Sequence, residues 1–133
     1  MSNVIVDMRN FVNNFFPESL TYGLNEDQLA FRMSLLEEEF GETLGAYEGG
    51  DAEELVDGLI DIVVIAIGTL IMSGVNPEKA WLEVYRANMS KARGIKTGRD
   101  NEFDVYKPEG WEPPDHSDNH GDLDKLLGGP EAD

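Results

Sequence analysis

The side chains of this chain best suited to chemistry are carboxylates. Glu38-Glu39-Phe40-Gly41-Glu42 sets three of them close together, and Glu54, Asp57 and Asp61 follow at helical spacing. On a wheel of ~100° per residue, Glu54, Asp57, Asp61, Ile65, Gly68 and Met72 share one face. Asp61 interrupts an almost wholly apolar run, flanked by Leu59, Ile60, Ile62, Val63 and Val64. A carboxylate in such a setting costs several kcal/mol or takes up a proton. Asp57, one turn away, adds a like charge. A divalent cation relieves both penalties, so the two segments are expected to pool carboxylates around metal ions. The competing reading is a solvated helix face, the usual fate of a run such as Glu37-Glu38-Glu39. The apolar setting of Asp61 favours the metal, because Asp51 to Ser73 contains no lysine or arginine. Arg32 is one candidate counter-ion for several carboxylates.

Oxygen donors without His or Cys suit Mg²⁺ or Mn²⁺ better than Zn²⁺ or copper. Ca²⁺ has no EF-hand loop to bind, and a di-iron bundle would carry Glu-x-x-His on its helices. The two histidines, His116 and His120, lie near the C-terminus.

Six of the ten Lys and Arg residues are Arg86, Lys91, Arg93, Lys96, Arg99 and Lys107. Compensation of a helix dipole accounts for Lys91 and Arg93 but not for the others. Metal-binding acids together with a basic segment are what polyphosphate chemistry needs. The metal bridges phosphate oxygens and generates a hydroxide nucleophile, while Lys and Arg neutralise the leaving group. Lys91, Arg93 and Lys107 are candidate substrate contacts. No P-loop is present.

Four helices must position these groups. The first spans about Asn3 to Phe15, with Val4, Met8, Phe11 and Phe15 at helical spacing, and Pro17 ends it. The second starts at Asn25, where Asn25 and Gln28 make a capping box, and runs to about Tyr47 before Gly49-Gly50. Its stripe Leu29, Met33, Leu36, Phe40 and Leu44 is expected to face the core. Phe31 and Leu35 form a second stripe that Glu38, Glu39 and Glu42 continue. The third helix runs from the N-cap Asp51 to Ser73, closed by Gly74. The fourth begins at Asn76-Pro77 and reaches about Lys91 or Ala92. A long loop follows over Ile95 to Pro114, with a short extended piece at Asp104 to Tyr106. The fold class is all-α, an antiparallel bundle of about four helices, expected to be oligomeric. One domain covers residues 1–114, and an acidic tail, expected to be mobile, covers 115–133.

The chain has 133 residues and a net charge of −17, so it repels nucleic acid and anionic membranes. There is no cysteine and hence no thiolate chemistry. Leu55 to Met72 invites reading as a membrane span, but Asp57 and Asp61 leave too short an uninterrupted run, and a buried helix is expected instead. Met1 to Phe16 carries Asp7 and Arg9 and is not a signal peptide. A cytoplasmic location is expected.

Glu38-Glu39-x-x-Glu42 followed by an acidic helix resembles the Glu-Glu-x-x-Glu … Glu-x-x-Asp signature of the all-α nucleoside triphosphate pyrophosphohydrolases. That superfamily includes MazG, the dUTPase/dCTPase group and phosphoribosyl-ATP pyrophosphohydrolase. The likeness is closest to MazG-like and phosphoribosyl-ATP-pyrophosphohydrolase-like proteins common in phages and bacteria. It is carried by Asp57-Gly-Leu-Ile-Asp61, by Asn88-Met-Ser-Lys91 and by Lys107-Pro-Glu-Gly-Trp111-x-Pro-Pro114, over residues 25–114. The resemblance implies Mg²⁺-dependent hydrolysis of a nucleoside triphosphate to monophosphate and pyrophosphate, by a dimer or tetramer. Carried over, Glu39, Glu42 and Asp61 are metal ligands, and Glu38 holds a metal or orients the attacking water. Asn88 and Lys91 meet substrate phosphate or sugar. The family's Glu three residues before Asp61 is absent, because Gly58 stands there. Asp57 is expected to replace it, with Glu54 as the alternative. Hydrolysis of phosphoribosyl-ATP and a non-catalytic nucleotide- or partner-binding oligomer are the rival readings.

Overall fold

The structure, a computed structural model, describes residues 3–128. Asn3 caps α1 (Val4–Phe15), its Oδ1 accepting the backbone N–H groups of Ile5 at 2.9 Å and Val6 at 3.2 Å. Pro17 ends this helix but also opens α2 (Pro17–Tyr22), which helical spacing did not announce. Proline lacks the N–H that a first turn leaves unpaired anyway, and its fixed φ suits that position.

The capping box at α3 (Glu26–Gly49) is present in full. Gln28 N–H donates to Asn25 Oδ1 and Asn25 N–H to Gln28 Oε1, both at 2.8 Å. Gly50, in the left-handed region, stops the helix. Asp51 Oδ1 accepts Glu54 N–H at 3.1 Å and starts α4 (Ala52–Met72). With so short a connection the two helices fold back on each other, and they form the most extensive helix–helix contact of the chain. Thr43 meets Gly58, and Arg32 meets Ile65 and Thr69, so the pair is antiparallel.

The core lies toward the C-terminal end of α4. Met8, Val12, Ile71 and Met72 are buried there, with Leu24, Val64 and Ile67 packed around them. The stripe read from the sequence as the core face of α3 is not one within the single chain. Leu29 is buried, but Phe40 is 56% exposed, Met33 55% and Leu44 42%. On α4, Val56, Leu59, Ile60 and Val63 likewise lie exposed in one stripe. A helical wheel finds an apolar face without saying whether this chain or another molecule covers it. By length and composition alone α4 could cross a membrane.

The chain packs as two compact units. One contains the chain up to Pro77 and the segment from His120 onward. The other is Glu78–Asn119. Helix α5 (Pro77–Met89) leads into the second unit. There β1 (Ala92–Arg93) pairs antiparallel with β2 (Val105–Tyr106), Ala92 opposite Tyr106 and Arg93 opposite Val105. The second strand falls within the extended piece expected at Asp104 to Tyr106. Toward the C-terminus, α6 (Leu123–Leu126) follows Asp122, whose N–H donates to Ser73 O at 2.8 Å. Of the segment read as an acidic tail, residues 129–133 lie outside the described residues.

Candidate active site

Glu39 is the best-connected member of the acidic group. It is half-buried on α3, and its backbone carbonyl accepts the Thr43 hydroxyl at 2.7 Å. Partial burial is the main cause that raises its carboxyl above the ordinary glutamate range. The charges of Asp61 and Glu42 add to this, then a hydrogen bond with Asp61, and then the charge of Asp57. Asp61 is also half-buried, whereas Glu38, Glu42 and Asp57 are exposed. The fold therefore draws Glu39 and Asp61 together across the α3–α4 contact, with Glu42 and Asp57 near enough for their charges to be felt. Among the described residues, no three His, Asp or Glu side chains converge closely enough to hold a metal ion.

Arg32 does not neutralise this group. Its Nε donates to Thr69 Oγ1 at 3.0 Å, and Nη2 donates to the Ile65 carbonyl at 3.1 Å, two turns and one turn beyond Asp61. Burial lowers its pKa from the usual guanidinium value. The donor set suits Mg²⁺ chemically. It is all carboxylate oxygen, and Asp61, Glu42 and Asp57 all push the Glu39 carboxyl up, the like-charge crowding that a dication would relieve.

Gly58 has a physical reason. A Cβ built there would stand 2.3 Å from Thr43 Oγ1 and 3.1 Å from its Cβ. Glycine lets α3 and α4 approach closely at the level of the acids, and a glutamate at this position would collide with Thr43. The absent family carboxylate is thus tied to the helix spacing. Of the two proposed substitutes, Asp57 acts electrostatically on Glu39.

The second unit holds the cations. Asn88 is exposed near the end of α5, and its carbonyl accepts Lys91 N–H at 3.1 Å. The Lys91 ammonium lies 5.7 Å from the centre of the Trp111 ring, and Lys107 lies 4.9 Å from the same ring. The Arg93 guanidinium is 5.2 Å from the Phe103 ring, and its Nε donates to Glu102 O at 3.3 Å. Other cations of the sequence cluster have carboxylate partners: Arg99 binds Asp104 at 2.8 and 2.9 Å, and Arg86 faces Glu83 at 3.5 Å. Helical periodicity gives no sign of the rings of Trp111 and Phe103, which lie outside the long helices. The one signal was the place of Trp111 in the segment Lys107 to Pro114.

By the match of a family model, this helical chain belongs among the pyrophosphohydrolases, which are hydrolases. More narrowly, it matches the phosphoribosyl-ATP pyrophosphohydrolase family over residues 11–88, more than half of the 133, and is a member of that family within the MazG-like superfamily. No curated protein matches it.

Proposed function

We propose that the chain is a Mg²⁺-dependent, MazG-like hydrolase converting a (d)NTP to the (d)NMP and pyrophosphate. The observation that carries this is the Glu39–Asp61 carboxylate pair across α3 and α4, where Asp61 raises Glu39 and Arg32 bonds elsewhere. Bound by Glu39, Asp61, Glu42 and Asp57, Mg²⁺ or Mn²⁺ would supply charge for the phosphate oxygens and a more acidic water. Glu38, exposed beside them on α3, orients the attacking water and takes its proton. A P–O bond to the water oxygen forms, and the P–O bond to pyrophosphate breaks, with the electron pair leaving on pyrophosphate. In the second unit, Asn88, Lys91, Arg93 and Lys107 are the candidate contacts for phosphate or sugar.

Phosphoribosyl-ATP is the second reading of the substrate, favoured by the family match over residues 11–88. It undergoes the same bond cleavage. A panel of (d)NTPs and phosphoribosyl-ATP, assayed for pyrophosphate with Mg²⁺ or Mn²⁺ at several pH values, tests both. Release from a (d)NTP supports the first reading, and release from phosphoribosyl-ATP alone supports the second. No release from any of them removes the enzyme reading.

We also propose a cytoplasmic homo-oligomer, with no nucleic acid or membrane partner. The exposed stripes Met33, Phe40, Leu44 and Val56, Leu59, Ile60, Val63 support a second copy as their cover. Light scattering on Phe40→Glu and Ile60→Glu variants checks this. Dissociation to monomer is expected, and a wild-type monomer at micromolar concentration would contradict it.

A further inference from the structure

The cations of Glu78–Asn119 differ in what they lie against. Lys79, Arg86 and Arg99 lie against Asp118, Glu83 and Asp104. The ammonium groups of Lys91 and Lys107 make no ion pair or hydrogen bond among the described residues, and both lie over the ring of Trp111.

That ring is fixed in place. Trp111 Nε1–H donates to the carbonyl of Ala87 at 2.7 Å, and Ala87 is fully buried on α5. The Trp111 backbone N–H donates to Pro108 O at 3.0 Å and closes a turn through Gly110, whose φ of +82° few other residues adopt. The indole is half-buried, as is Lys91. An aromatic face attracts a cation through its quadrupole and leaves the full positive charge in place. A carboxylate in the same role would cancel the charge and compete with an incoming anion. Two ammonium groups drawn to one ring are therefore each confined near it while still able to bind an anion.

We propose that Trp111 is a positioning residue that confines the Lys91 and Lys107 ammonium groups, neither ion-paired with a carboxylate among the described residues, as a binding site for pyrophosphate. This rests on the pyrophosphohydrolase reading above. The probe is inorganic pyrophosphate with Mg²⁺, titrated into the full chain by calorimetry. Fluorescence is followed in a Trp81→Phe background, where Trp111 is the one remaining tryptophan of the two.

Saturable change in Trp111 emission is expected. Trp111→Leu weakens pyrophosphate binding roughly tenfold, the cost of ordering two lysine side chains that the ring no longer confines. Trp111→Phe, which keeps a ring face, stays within about threefold of wild type by the same scale. In a Lys91→Gln/Lys107→Gln background Trp111→Leu has little further effect, because its action passes through the lysines. A loss of equal size in both backgrounds overturns the proposal, as does a Phe variant no better than Leu, which would leave only the bond to Ala87. If the Leu variant loses its helical circular dichroism, the Phe variant decides, and a loss matching the double-lysine variant overturns the proposal. Pyrophosphate binding unaffected by the lysine changes would sink the substrate contacts and this role together. Trp111-dependent pyrophosphate binding without hydrolysis of any nucleotide would sink the enzyme reading and leave the proposal standing.

Discussion

Across the α3–α4 contact, the charge of Asp61 acts on the half-buried Glu39, and Arg32 is turned to Thr69 and Ile65. In Glu78–Asn119, Lys91, Lys107 and Arg93 rest on rings although carboxylates are plentiful in the same segment. Charges meant only for stability pair with the opposite sign nearby, as Arg99 does with Asp104. Both of these regions instead keep charges of one sign uncancelled, the first negative and the second positive. The first suits a cation, and the second suits the anion that the cation would accompany. Under the proposed function, uncancelled charge rather than the abundance of charge marks the two regions.

The largest expected effect is at the acidic region. Asp61→Asn and Glu42→Gln should each lower pyrophosphate release on the order of a hundredfold or more while circular dichroism stays unchanged. Chelation by EDTA should abolish release, with Mg²⁺ restoring it. At the basic region, Lys91→Gln with Lys107→Gln should raise KM roughly tenfold to a hundredfold, the scale of lost charge-assisted contacts. Raising the salt concentration should weaken substrate binding in the wild type more than in that variant.

A smaller effect tests the spacing between the acidic helices. Gly58→Ala should cost about 1–3 kcal/mol by overpacking against Thr43, measured by urea denaturation. Thr43→Ala should recover part of that loss in the double variant, and strictly additive losses would break the account of Gly58. Gly58→Glu should not restore a family-like site, because the added side chain begins inside Thr43.

Acid should act on the two regions with opposite sign. Glu39 is raised chiefly by burial, so in the metal-free protein its contribution is complete below the ordinary glutamate pKa and lost as pH rises through its higher folded value. Asp104, held down by Val105 N–H and then by Arg99, contributes above the ordinary aspartate pKa and loses that contribution as pH falls through its lower folded value. Glu83, bonded first by Asp115 N–H and then by Arg86, behaves like Asp104. Below about pH 4, amide exchange should speed up in β1 and β2 but not at the Glu39 turn of α3. Uniform loosening of both regions would contradict the comparison.

Caps and faces were legible in the sequence because they are local. The Asn25–Gln28 box, the Asp51 cap and the end of α4 at Gly74 follow from neighbours within a turn. The approach of Glu39 to Asp61 was half legible, since the wheel gave each a face and the short Gly50–Asp51 link made the helices antiparallel. Axial level was not legible. The wheel allowed Arg32 to reach the acids, whereas it bonds beyond them. Gly58 read as a missing ligand until its neighbour Thr43 was known. Trp111 in a loop carries no periodic signal, and its pairing with Lys91 and Lys107 exists only once the chain has folded.

The account turns on whether the α3–α4 carboxylates hold a divalent cation. Calorimetric titration of Mn²⁺ into the metal-free wild type and into the Asp61→Asn and Glu42→Gln variants tests this directly. The account predicts saturable binding to the wild type and an affinity at least about tenfold weaker in each variant. Equal affinity in all three proteins would contradict it.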